Sequence, residues 1–156
     1  MAAGVCGGGF ERMPHPFERL ERRLRTCVWD ITQRCNLACR HCGSDCAADV
    51  SQPDLPADSI LAVLDGIRQR HDPARITVAL TGGEPLLYPG FFELGTAITA
   101  RGYPWGMVSN GWAWTPARVE AARLAGLRTM TISLDGPEAV HDWLRGRAGS
   151  CERACA

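Results

Sequence analysis

The sequence predicts an α/β fold built on a parallel sheet, and three observations carry that expectation. Four β-rich runs alternate with three segments of helical period, which is the order of βαβ units with right-handed crossovers. The second run, ITVAL at 76–80, is apolar and mostly β-branched, as expected of a strand buried on both faces. Each run then passes into a polar segment: QRCNLACRHC, TGGEP, SNG and SLDG. In parallel sheets ligands sit at the carboxyl ends of the strands, so these four loops are expected to meet at one mouth.

The elements follow in chain order. Residues 1–16 are rich in Gly and Pro and read as flexible, and FERLERRLR at 17–25 reads as a short charged helix. The segment 1–25 is therefore set apart from a core at 26–156. TCVWDIT (26–32) is the first strand, and residues 43–55 read as loop. A helix is expected from Pro56, where proline suits the first turn. Ile60, Val63, Leu64 and Ile67 carry its apolar face to about Arg70, and Asp72-Pro73 ends it. After ITVAL, Pro89-Gly90 opens a second helix with Phe91, Phe92, Leu94 and Ile98 apolar, ending near Gly102. YPWGMVS (103–109) is the third strand. Thr115 caps a third helix with Pro116 at its first position and Gly126 as its stop. TMTISL (129–134) is the fourth strand, and residues 138–145 begin another helix.

Composition bounds the function classes. The chain has 156 residues, 46% hydrophobic and 22% charged, which is enough apolar matter for one ordinary globular domain. Lys+Arg and Asp+Glu both count 17, so charge gives no reason to expect nucleic acid or an anionic membrane as partner. No apolar run of about 18 residues is present, so no transmembrane helix is expected. The N-terminal residues lack the apolar centre of a secretory signal, and a reducing, cytoplasmic setting is expected. Four of the eight cysteines fall between Cys35 and Cys46. In that setting such clustering points to metal binding or redox chemistry rather than to a disulfide scaffold.

Cys35, Cys39 and Cys42 are spaced C-x3-C-x2-C, which lets one compact loop wrap three thiolates around a soft metal centre. Iron–sulfur clusters usually take four cysteines, so three would leave one iron open. Zinc is the competing reading, because Cys46 extends the run to C-x3-C-x2-C-x3-C and could close a tetrahedral site. In GGEP, Gly82 and Gly83 allow close backbone approach to a ligand. Glu84 can accept a charge-assisted hydrogen bond from an ammonium, and Pro85 fixes the exit. Cys27 reads as a small buried hydrophobe. Trp29, Trp105, Trp112, Trp114 and Trp143 are expected in the core or beneath loops.

CNLACRHC after the first strand and GGEP after the second together resemble the paired motifs of radical S-adenosylmethionine (SAM) enzymes, over about residues 26–150. The resemblance implies a partial (β/α) TIM-like barrel, here stopping after about four βα units. It implies that Cys35, Cys39 and Cys42 hold a [4Fe–4S] cluster whose fourth iron binds SAM. SAM would then be cleaved to a 5′-deoxyadenosyl radical that takes hydrogen from a substrate, with electrons from a flavodoxin- or ferredoxin-type donor. By the same resemblance His41 packs near adenine, or is a solvated loop histidine. Ser109, Asn110, Ser133 and Asp135 contact SAM at strand ends, or Asn110-Gly111 and Asp135-Gly136 serve as turns alone. Arg145 meets the SAM carboxylate, or lies on the surface. Similarity to the SPASM-type members, some of which carry HCGSDC as at 41–46 here, implies a peptide or protein substrate. No catalytic side chain is assigned. The alternative is a non-catalytic zinc or iron–sulfur module with Cys46 as fourth ligand. An open parallel sheet of four strands is expected to leave an edge and an apolar face uncovered, as in a fragment of a longer barrel.

Overall fold

The computed structural model describes residues 23–44, 46 and 52–156. The flexible segment 1–16, and residues 17–22 of the expected charged helix, lie outside the described residues; 23–25 are irregular.

Among the described residues four strands form one parallel sheet in the order β1 (Thr26–Thr32), β2 (Thr77–Gly82), β3 (Trp105–Ser109) and β4 (Leu127–Ile132). Between them run α1 (Ala57–Arg68), α2 (Phe91–Ala100) and α3 (Pro116–Leu124), and α4 (Glu138–Arg145) and α5 (Ser150–Cys155) follow β4. The alternation read from the sequence is thus the observed topology, an α/β sheet that, among the described residues, does not close into a barrel.

Local chemistry sets the boundaries. β2 begins one residue late because Ile76 donates its N–H to Pro73 O, closing the 3₁₀ turn Pro73–Arg75. β3 starts after Pro104, which has no N–H to give a ladder, although its carbonyl accepts from Val78 N at 2.9 Å. β4 was expected at 129–134 but runs from 127 to 132. Its register pairs Leu127 with Trp105 and Ile132 with Ser109, so it ends where its neighbour ends. Ser133 and Asp135 are thereby loop residues. The Thr115 side chain accepts from Arg118 N at the start of α3 as expected. Gly126 (φ 87°) leaves that helix and Gly146 (φ 67°) ends α4, both in the left-handed region that favours glycine.

The core lies between one face of the sheet and the helices. Ile31, Val78, Leu80, Trp105 and Met107 pack against Ile60 and Leu64 of α1 and Phe91, Leu94 and Ile98 of α2. Trp105 is fully buried, and its Nε1 donates to Thr99 Oγ1 at 3.0 Å. The expectation that ITVAL is buried on both faces needs correction. Val78 and Leu80 are buried, whereas Thr77, Ala79 and Thr81 are only half-buried. Among the described residues the helices cover one face only, and Val28, Val108 and Met130 are exposed. Trp143 also departs from expectation: it is 60% exposed on α4 and stacks under the Arg40 guanidinium at 4.9 Å. Cys27 is half-buried against the core, and burial pushes its thiol up. Among the described residues no helix is long and apolar enough to cross a membrane.

Candidate cluster and cofactor site

The loop after β1 is stitched to the loop after β2 through backbone. Gly83 N donates to Thr32 O and Glu84 N to Arg34 O, each at 2.8 Å. A Cβ on Gly82 would overlap Thr32 O, and one on Gly83 would overlap Arg34 O. The two glycines let the two loops meet at backbone distance, and both also line the cavity described below. Thr32 and Arg34 are held in turn by Asp54, with Thr32 Oγ1 donating to Oδ1 at 2.5 Å and Arg34 paired to Oδ2.

Glu84 is bonded within the chain. Its side chain is fully buried and accepts from Ser109 Oγ at 2.9 Å, Asn110 N at 2.8 Å and Leu86 N at 3.4 Å. The carboxylate is spent tying the β2 loop to the end of β3 and does not line the cavity described next. Burial pushes its carboxyl up against the opposing pull of those hydrogen bonds.

Cys35, Cys39 and Cys42 line one cavity of about 160 Å³ at the carboxyl end of the sheet, and Cys46 lines it with them. Gly82, Gly83, Ser109, Asn110 and Ser133 form other parts of its wall, as do His41 and Arg145. All four sequence-derived loops therefore reach the same place. The lining residues that pattern reading missed are Leu37, Thr81 and Val108, ordinary loop and strand positions without a chemical signature.

The polar wall is internally bonded. Ser109 Oγ accepts from Gly111 N and Trp114 Nε1, both at 3.1 Å, besides donating to Glu84. Asn110 Nδ2 donates to Asn36 Oδ1 at 2.8 Å and stands 3.8 Å from Cys35 Sγ, and its Oδ1 accepts from Trp112 N. Asp135, expected to meet SAM, does not line the cavity; it faces Arg145, His41 and His141. The Arg145 fork, expected on a ligand carboxylate, is taken by Asp135, with Nε to Oδ2 at 2.7 Å and Nη2 to Oδ1 at 3.1 Å. His41 is exposed and stands 3.7 Å from Asp135 Oδ1.

The donor chemistry suits an iron–sulfur cluster. Three thiols face one cavity, and N–H groups of Asn110 and Arg145 are directed at the sulfurs of Cys35 and Cys39. Such N–H groups favour thiolate over thiol. Burial first, then the neighbouring Cys39 and Glu84 charges, push the Cys35 thiol up, while Leu37 N–H and Asn110 pull it down. Cys46 is pushed up to about 11 by burial, then by Cys42 and Cys35. Crowded thiols of this kind release their protons when a metal centre compensates the charge. Among the described residues no three or more of His, Cys, Asp and Glu converge closely enough for a single metal ion.

Comparison with known proteins identifies the family. The family model of the Radical SAM superfamily matches residues 29–155. An AdoMet-dependent heme synthase of Methanosarcina barkeri is 35% identical over 133 residues, covering 85% of this chain and 37% of that protein. The sporulation killing factor maturation protein SkfB of Bacillus subtilis is 33% identical over 124 residues, covering 80% of this chain and 29% of that protein. Streptococcus suis SuiB, solved with S-adenosylmethionine, shares the fold at a TM-score of 0.65 and 20% identity, covering 80% of this chain and 28% of that one. SuiB bound to its precursor peptide SuiA aligns at a TM-score of 0.67 and 18% identity, covering 83% and 28%. The chain thus spans little more than a third of the heme synthase it matches. A family model over 29–155, together with cysteine and glycine motifs meeting in one cavity, places this chain in the radical SAM superfamily, whose cofactors are a [4Fe–4S] cluster and SAM.

Proposed function

We propose that this chain carries the SAM-cleaving core of a radical enzyme. Cys35, Cys39 and Cys42 would hold the cluster, and Gly82, Gly83, Ser109, Asn110 and Ser133 would wall the SAM subsite. The observation that carries this reading is the single cavity that the three cysteines share with those strand-end residues. When bound, the cluster and SAM supply a 5′-deoxyadenosyl radical that abstracts hydrogen from the substrate. The chain's own part is geometric. The Glu84 bracket fixes the β3 end beside the cysteine loop, and the Gly82–Gly83 backbone fixes the β2 end against it. A flavodoxin- or ferredoxin-type protein would deliver the electron.

A peptide or protein is the proposed substrate, supported by the likeness to the maturation protein SkfB. A haem precursor is the second reading, supported by the 35% identity to the heme synthase. Anaerobic reconstitution with iron and sulfide, followed by SAM and a low-potential reductant, tests the core reading. Bound iron and sulfide and release of 5′-deoxyadenosine are expected. A protein that retains only zinc, or a reconstituted cluster that yields no 5′-deoxyadenosine, overturns it. Stimulation of that release by an iron porphyrin but not by candidate peptides would select the second reading.

A further inference from the structure

The end of α4 is buckled onto the cysteine loop. Arg40 N donates to Leu144 O at 2.8 Å, Arg40 Nε to Trp143 O at 3.0 Å, and Arg147 Nη1 to Asn36 O at 3.1 Å. A Cβ on Gly146 would come within 2.7 Å of Ala38 O, so the two backbones are in contact there as well. Within this buckle Arg145 points its remaining nitrogen, Nη1, at Cys39 Sγ from 3.7 Å. Its other two nitrogens are fixed by Asp135. Asp135 is itself held by α4: its backbone N–H donates to Nδ1 of His141, which is fully buried and stands 3.5 Å from Asp135 Oδ2. His141 and Arg145 are four residues apart and share one helix face. One helix thus grips both members of an ion pair and aims the cation at a sulfur. The side chains of Arg145 and Asp135 are only 11% and 19% exposed, so water screens the pair weakly.

We propose that Arg145 and Asp135 are positioning residues that set the reduction potential of the cluster held by Cys39, Arg145 through its N–H and charge at the sulfur and Asp135 by orienting and partly neutralising that charge. This rests on the cluster reading above. Hydrogen bonds to ligand sulfur and nearby positive charge favour the reduced, more negative cluster and so raise its potential. Nothing about a surface salt bridge would have this consequence, because exposed pairs are worth little and are screened.

The test is an EPR-monitored redox titration of the reconstituted full chain, with iron and sulfide content measured on each variant. Arg145→Met is expected to shift the potential to more negative values. Asp135→Asn is expected to shift it to less negative values, because the opposing charge is removed while the amide oxygen still accepts from the fork. Opposite signs are the signature of an electrostatic pair; a merely structural role would move both variants the same way. If Arg145→Met does not hold a cluster, Arg145→Lys takes its place, with a smaller shift to more negative values. Unchanged potentials, or shifts of the same sign, in variants with wild-type iron content overturn the proposal and leave the cluster reading intact. A wild-type chain that assembles no [4Fe–4S] cluster overturns both.

Discussion

Glu84 Oε2 accepts the backbone N–H of Asn110 at 2.8 Å, so a buried carboxylate from the β2 loop fixes the turn that follows β3. The same side chain takes the Ser109 hydroxyl on its other oxygen. Glu84→Gln keeps the shape but presents an NH₂ group where two donors already converge. It should destabilise the chain by about 1–3 kcal/mol, the cost of a buried donor left without a partner. Urea unfolding of the two proteins measures this.

The pH dependence of that difference has a definite sign. Burial raises the folded-state pKa of Glu84, so the folded chain keeps a proton that the unfolded chain releases. That contribution is fully present below the ordinary carboxylate range and is lost as pH climbs through the raised value. The stability of Glu84→Gln should therefore lie furthest below wild type in acid, and the gap should narrow upward from the ordinary range. A gap that widens with rising pH would contradict the assignment.

Gly83 sits where a methyl group would meet the Arg34 carbonyl. Backbone on both sides cannot give way as a flexible side chain would. Gly83→Ala should cost about 1–3 kcal/mol by overpacking. It should also lower the iron bound per chain after reconstitution, since Arg34 directly precedes Cys35. Thermal unfolding together with iron analysis reads both effects.

Much of this was legible in the sequence. The strand–helix alternation and the convergence of four loops follow from period and polarity, because each βα unit writes its own hydrophobic pattern. That Cys35, Cys39 and Cys42 share one cavity was legible because their spacing lets one compact loop gather three thiols. The inward role of Glu84 was not, since its partners Ser109 and Asn110 lie 25 and 26 residues away. The Asp135–Arg145 pair was hidden for another reason. Both residues were visible as candidates, but the same fork chemistry suits an internal carboxylate and a ligand carboxylate equally. The helix α5 went unread because six residues carry too little periodicity to stand out.

α5 depends on Asp142 of α4, whose carboxylate accepts Gly149 N at 2.6 Å and Cys151 N at 2.8 Å. The Cys151 N–H, first among several, holds that carboxyl below the usual aspartate range. The stabilisation is therefore present above the ordinary Asp pKa and lost as pH falls through the lowered one. α5 also backs the Asn110 turn, since a Cβ on Gly111 would come within 2.8 Å of Ala154 Cα. Asp142→Asn should speed amide hydrogen exchange across Ser150–Cys155 at neutral pH and leave β1 and β2 protected. Acidifying the wild type through the depressed pKa should produce the same local loosening.

Cys46 provides the sharpest division between an enzyme and a metal-binding module. It shares the cavity with Cys35, Cys39 and Cys42, and its thiol, pushed up to about 11, keeps its proton near neutral pH in the metal-free chain. Around a cluster whose fourth corner must admit SAM, a fourth thiolate would compete with the cofactor for the open iron. In a zinc module the same thiolate would complete the tetrahedron. Cys35→Ala, Cys39→Ala and Cys42→Ala should each abolish cluster retention and 5′-deoxyadenosine release, whereas Cys46→Ala should keep both within about twofold of wild type, a change worth under ~0.5 kcal/mol. Loss of bound metal in Cys46→Ala equal to that in the other three would identify Cys46 as a closing ligand and remove the vacant corner on which SAM cleavage depends.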